Sequence, residues 1–126
     1  MKRIGNPIVT PTGDTLPLSA AIEANGTIYI SGQLPLRGGR IEGADVSVQT
    51  DIVIDAIASI LAEAGLSLAQ VVKTTIWLTH IEDFAAFNQI YARRFAEPYP
   101  ARATVVSALA VPGALVEIDA IAVRGG

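Results

Sequence analysis

The sequence has no cysteine, which removes disulfides, thiolate nucleophiles and cysteine-ligated metals together. It has one histidine, His80, so a site built from several histidines of one chain is also excluded. Charge is scarce. Charged residues make up 17% of the chain and hydrophobic residues 51%, where about 25% charged is usual for a soluble domain. No apolar run approaches the ~18 residues needed to span a bilayer. The longest helical pattern, 46–64, is interrupted by Ser47, Gln49, Thr50, Asp51, Asp55, Ser59 and Glu63. The excess apolar surface therefore points to association between copies rather than to a membrane. Basic clusters are also lacking. The only adjacent basic pairs are Lys2-Arg3 and Arg93-Arg94, and the net charge is −3 with a pI near 5.0. Counterion release on nucleic acid needs a clustered basic face, so no nucleic-acid partner is expected. No apolar signal segment follows Met1, and the cytoplasm is the expected compartment.

What is present fits one α/β (α+β) domain over residues 1–126, a length ordinary for a single core. Residues 17–24 read as a strand, Asn25-Gly26 as a two-residue hairpin turn, and 27–31 as the returning strand. Residues 33–44 hold Pro35, Gly38, Gly39 and Gly43 and read as a loop, with room for a short strand. A helix follows, capped by Asp45 or Ser47, with Val53, Ala56, Ile57, Ile60, Leu61 and Ala64 on one stripe and Gly65 at its end. Residues 67–70 read as a short turn and 71–79 as a strand, with Val72, Thr74, Ile76 and Leu78 on one face. Glu82 or Asp83 caps a second helix over 84–95, stopped by Pro98 and Pro100. Residues 103–107 and 115–123 read as the last two strands. The order is β-β-α-β-α-β-β. Two helices cover one face of such a sheet, and the other face needs a partner. The last strand has that character: Val116, Ile118, Ala120 and Ala122 form a small apolar row, while Glu117 and Asp119 stand among aliphatics on the other.

Few residues in this chain can do chemistry. Arg102 enters its strand behind Pro98 and Pro100, which stiffen its approach. A guanidinium so held can offer two parallel N–H groups to a carboxylate, or it can form a surface ion pair; the residues alone leave both open. Glu117 on a half-buried row can handle a proton or orient a water, or be an ordinary surface acid. Burial would raise its pKa and a nearby Arg102 would lower it. His80 reads as a loop residue. Ser31-Gly32-Gln33 can offer a close backbone approach, which alone is a weak signal. P-loop, dinucleotide, nucleophile-elbow and HExxH patterns are missing.

Five blocks, in order, resemble the Rid (reactive intermediate deaminase, YjgF-like) proteins over residues 17–124. They are Ile30-Ser31-Gly32-Gln33-Leu34-Pro35, then 71–79, then Asp83-Phe84-Ala85-Ala86-Phe87-Asn88 with Tyr91 and Phe95, then Pro100-Ala101-Arg102-Ala103-Thr104, and 116–123. The resemblance implies a chorismate-mutase-like fold. It implies a homotrimer with a central barrel and sites between subunits. The implied activity is hydrolysis of enamine or imine intermediates, such as 2-aminoacrylate, to 2-keto acids and ammonia, without metal or organic cofactor. Carried over residue by residue, it implies that Arg102 binds the substrate carboxylate and Glu117 orients the attacking water. Ser31 and Gly32 would form the cleft wall, with Thr104 beside the arginine and Asn88 on a helix near the cleft. One departure stands out. Where the best-described members have Pro-Tyr-Ser, this chain has Pro17-Leu18-Ser19. Leu18 cannot make the tyrosine's hydrogen bond, so that wall is expected to be more apolar. A pathway-specific deaminase of a larger enamine, such as 2-aminomuconate, and a 2-keto-acid-binding regulator or chaperone-like protein are the alternatives. A ribonuclease role, also attached to this family, fits poorly with the acidic pI and lone histidine.

Overall fold

The computed structural model describes residues 1–125. Its main sheet holds β1 (Lys2–Ile4), β2 (Ala21–Ala24), β3 (Thr27–Gln33), β6 (Val71–Leu78), β7 (Ala101–Val106) and β8 (Val116–Val123) in the order β1-β2-β3-β8-β6-β7. The strands β4 (Leu36–Arg37) and β5 (Arg40–Ile41) form a separate small hairpin. All neighbours in the main sheet are antiparallel except β6 and β7. A parallel pair needs a crossover, and helix α2 (Phe84–Arg94) supplies it. Helix α1 (Val46–Glu63) connects β5 to β6 and packs on the same face of the sheet. Among the described residues no helix is long and apolar enough to cross a membrane.

Local chemistry explains most of these elements. Asn25 and Gly26 both have positive φ, 51° and 76°, as the tight turn joining β2 to β3 requires. Asp45 caps α1 by accepting a hydrogen bond from the Val48 N–H at 2.9 Å. At the other end the N–H of Leu66 donates to the Leu61 carbonyl and that of Gly65 to Ala62, with Gly65 at φ 76°, so the stop is a Schellman turn.

Several expectations need correction. Residues 17–20 lie outside β2. Pro17 has no N–H to donate, and the carbonyls of Ser19 and Ala20 are taken by the hydroxyl and N–H of Ser31. The edge strand β1 was not anticipated. It has three residues, two of them charged, so it carries no readable period. The loop read with room for a short strand holds two, the β4–β5 hairpin, turning on Gly38 and Gly39 at positive φ. Asp83 stands before α2 without a capping side-chain bond, and a 3₁₀ turn over Ile81–Asp83 leads in instead. In β6 the register slips between Val71 and Lys73. Val71 therefore joins Thr74, Ile76 and Leu78 in the core, while Val72 is exposed.

The buried stripe of α1 also differs from the apolar one. Val46, Gln49, Thr50, Val53, Ile54, Ile57 and Leu61 are buried, whereas Ala56, Ile60 and Ala64 are only partly so. Two residues that interrupt the apolar pattern thus face inward. The Thr50 hydroxyl donates to the Val46 carbonyl at 2.6 Å. The Gln49 amide donates to the carbonyls of Gly43 and Gly113 at 3.2 and 3.1 Å, and accepts from the Leu115 N–H at 2.7 Å. One buried amide thereby ties the loop before α1 to the start of β8. Gly43 (φ 116°) lies so close that a Cβ there would meet Gln49 Cγ at 2.8 Å. Replacing Gln49 leaves a cavity and an unpaired Leu115 N–H. Gln49→Ala is expected to cost about 2–4 kcal/mol in equilibrium denaturant unfolding.

Candidate active site

Strand alternation sorts the candidate residues. In the β6–β7 register Arg102 lies beside Thr74, whose side chain is fully buried under the helices. Arg102 and Thr104 therefore face the helical side at the sheet's free edge. There the Arg102 Nε donates to Thr104 Oγ1 at 3.0 Å and Nη2 donates to Asn88 Oδ1 at 2.6 Å. The guanidinium carbon stands 4.9 Å from the ring centre of Tyr91, 5.3 Å from Phe87 and 5.7 Å from Phe84. Residues 84, 87, 88 and 91 follow helical spacing, so one face of α2 delivers all four contacts. Both anchoring acceptors are neutral. Arg102 forms no ion pair with any carboxylate among the described residues. Burial holds its pKa below the ordinary arginine value. A half-buried cation held by neutral groups, with no partner for Nη1 among the described residues, has the chemistry to accept an anion. It opens onto a concavity of about 380 Å³ lined by Asn88, Tyr91, Ala92, Tyr99, Pro100 and Arg102. A larger hollow, about 910 Å³, lies at the opposite edge beside β1. Its Arg124 is already paired to Glu23 through both carboxylate oxygens.

Glu117 alternates with the buried Val116 and Ile118, so it faces the other side of the sheet. Its neighbour there is Gly32, on a bulge where the β3–β8 register slips between Ile30 and Gln33. A Cβ at Gly32 would collide with the Glu117 carboxylate, meeting Cδ at 3.0 Å and Cγ at 3.3 Å. This glycine is required for close approach. Ser31 braces the same wall, its hydroxyl donating to the Ser19 carbonyl at 2.6 Å. Leu18 precedes Ser19 and is exposed. Burial pushes the Glu117 carboxyl above its ordinary 4.5, and the charge of Asp119 adds to the rise. The lowering that a nearby Arg102 would bring has no counterpart within one chain, where the two residues face opposite sides of the sheet.

The seven candidates thus form two groups in one chain. Arg102, Thr104 and Asn88 meet at the helical edge; Glu117, Gly32 and Ser31, with Leu18 nearby in sequence, gather on the other face. Asn88 and Thr104 hold the arginine through their side-chain oxygens. The aromatic floor of Phe84, Phe87 and Tyr91 was legible as a helix face but not as a support for Arg102. Tyr99, which lines the concavity, carried no signal in the sequence beyond its place between two prolines.

The fold and this edge define a class: an α+β domain with two helices on one face of a mixed sheet and an unneutralised arginine on its edge strand. The chain belongs to the Rid/YjgF family. The family model described as Endoribonuclease L-PSP matches residues 12–124. A RutC family protein of Pyrococcus abyssi is 40% identical over 110 residues, covering 86% of this chain and 87% of that protein. The crystal structure of RidA from an Antarctic Psychrobacter has a TM-score of 0.83 at 34% identity, covering 98% of this chain and 99% of that one. That of Escherichia coli TdcF with bound serine has a TM-score of 0.84 at 30% identity, covering 99% and 100%. The architecture is the chorismate-mutase-like fold of these proteins.

The raised pKa of Glu117 has a consequence for stability. The folded chain holds this proton more tightly than the unfolded chain, so stability falls as pH rises from 4.5 through the folded pKa. Glu117→Gln is expected to raise Tm at neutral pH, with the gain vanishing below pH 4.5, as thermal unfolding followed across pH would report.

Proposed function

We propose that the protein hydrolyses reactive 2-imino acids, formed from enamines such as 2-aminoacrylate, to 2-keto acids and ammonia. The observation that carries this reading is the half-buried Arg102, held by Asn88 and Thr104 and, among the described residues, without a counter-charge. Its Nη1 and the remaining Nη2 hydrogen form an open edge suited to a carboxylate. A small 2-imino acid offers that carboxylate next to an electrophilic carbon. Membership of the Rid/YjgF family supports the reaction class, and a relative that binds serine shows that an α-amino carboxylate suits a neighbouring member of this fold.

In the proposed reaction Arg102 binds the carboxylate and fixes the imine carbon. Glu117 takes a proton from a water as its oxygen attacks the carbon of the protonated imine, whose C=N pair moves to nitrogen, forming a neutral carbinolamine. Glu117 then passes that proton to the amine nitrogen, and as the C–N bond breaks and ammonia leaves, it takes the carbinolamine hydroxyl proton while the carbonyl forms. Burial raises the pKa of this carboxyl above its ordinary value, a direction that favours taking up a proton and handing it on. Positioning plus one general base supplies about 10²–10⁴-fold, enough for a hydrolysis that is already fast in water.

Because Arg102 and Glu117 lie on opposite faces, one chain does not complete this site. We take the working unit to be a homotrimer, in which the Glu117 and Gly32 wall of one subunit meets the Arg102 edge of the next. The open face supports this: Tyr29 and Val105 are exposed large apolar residues on it, flanked by the partly buried Trp77 and Ile121.

Arg102→Ala should abolish ammonia release from imines generated by an amino-acid oxidase while leaving the assembly intact by light scattering. Near-normal release in that variant would refute the assignment. Leu18→Tyr should raise turnover of 2-aminoacrylate relative to imines with larger apolar side chains; an unchanged ratio would show that this wall does not set the substrate range.

A further inference from the structure

Beneath Arg102 lies a hydrogen bond that the proposed chemistry does not use. Thr74 Oγ1 and the Tyr91 hydroxyl are 2.8 Å apart, and both residues are buried. Such a pair adds little net stability. A valine and a phenylalanine would fill nearly the same volume without desolvating two hydroxyls, and replacing both partners by apolar groups of the same shape is close to neutral. The pair does have a geometric effect. Thr74 stands directly beside Arg102 in the β6–β7 register. Tyr91 comes from α2, and its ring is the nearest of the three under the guanidinium. The hydroxyl bond ties the far end of that ring to the strand neighbouring the arginine. Phe95 stacks on the same ring at 4.5 Å and Phe87 leans on it at 5.6 Å. The ring is thereby fixed relative to the sheet rather than free to slide with the helix.

We infer that Thr74 and Tyr91 are positioning residues for carboxylate recognition, setting the plane and height of the Arg102 guanidinium through the hydroxyl-locked ring. The inference rests on the reading of Arg102 given above. Asn88 and Thr104 fix two of the guanidinium's nitrogens from the side, and the ring fixes it from below. A ring face attracts a cation most strongly at a defined height over its centre, and the attraction grows when water is excluded. The outer edge is then presented to the ligand at little cost in side-chain ordering.

The test is the double variant Thr74→Val/Tyr91→Phe, in which neither hydroxyl is left unpaired. It should fold, with Tm close to the parent. The solvent exchange of the Arg102 Nε–H, read by ¹⁵N NMR without any ligand, should quicken by about threefold or more. The Kd for 2-oxobutanoate, read by calorimetry on the full assembled protein, should weaken by about threefold to tenfold. In steady-state assays the loss should fall more on KM than on kcat. Thr74→Ser, which keeps the hydroxyl, should restore both parent values, and Thr74→Val alone should reproduce the direction of change should the double variant fold poorly. Unchanged Nε–H exchange and unchanged Kd in a folded double variant would overturn the inference and leave the hydroxyl pair a core contact. Arg102→Ala separates the two claims. If 2-oxobutanoate binding survived it, the carboxylate assignment would fall, while the Nε–H exchange in the double variant would still decide whether the ring positions the arginine.

Discussion

Alternation along β8 is the constraint on which the rest of the molecule depends. Four side chains of that strand, Val116, Ile118, Ala120 and Ala122, are buried beneath the helices. The residues between them are only partly covered. β8 is paired on both sides, to β3 and to β6, so its register governs three strands at once. A slip of one residue would bring Glu117 and Asp119 into the core and expel the apolar row. Helix α1 packs against β8, whose buried face carries only alanine, valine and isoleucine. The acid that the proposed chemistry needs is kept on the open face by the same alternation that builds the core.

That constraint also separates the two charged groups of the candidate site. Arg102 pays for its half-burial with a depressed pKa, and Glu117 shows the opposite displacement on the other face. Among the described residues neither is relieved by an opposite charge. Arg102 is instead held by neutral side-chain oxygens over aromatic rings, whereas Glu117 lies against Gly32 with the like charge of Asp119 nearby. Structural ion pairs in this protein look different. Arg94 bonds to Asp51 and Asp55, and Arg124 to Glu23, each through short contacts that neutralise the cation. The contrast sets Arg102 apart from the arginines that hold the fold together.

Much of this was legible in the sequence because it depends on local chemistry. Asn25-Gly26, Asp45 and Gly65 mark their turns and caps through backbone geometry that few other residues satisfy. The period-two row of β8 and the apolar stripe of α1 locate the core to within a residue or two. What escaped depends on partners distant in the chain. The bulges at Ser31-Gly32 and at Val71–Lys73 exist only relative to the facing strand, so Val72 reads as core and lies outside it. Gln49 reads as an interruption of the stripe, yet it is buried because two loop carbonyls and one N–H converge on it. The aromatic face of α2 is plain from its spacing, but nothing local says that an arginine on a strand fourteen residues beyond Asn88 will rest on it.

The position of Arg102 follows from the β6-α2-β7 unit as a whole. A parallel pair forces the chain to return over the sheet, and the helix that makes the return must lie against the strands it connects. A long side chain on the helical face of the edge strand then meets the face of that helix carrying Phe84, Phe87, Asn88 and Tyr91. With Asn88 and Tyr91 there, an arginine is bonded by an amide and supported by a ring, and no carboxylate among the described residues answers its charge. A leucine at the same place would bury into the aromatic cluster, and a lysine would lack the planar fork that reaches Thr104 and Asn88 together. The crossover makes the pocket; the guanidinium, with its rigid fork and fixed charge, is the side chain that can be anchored there and still recognise an anion.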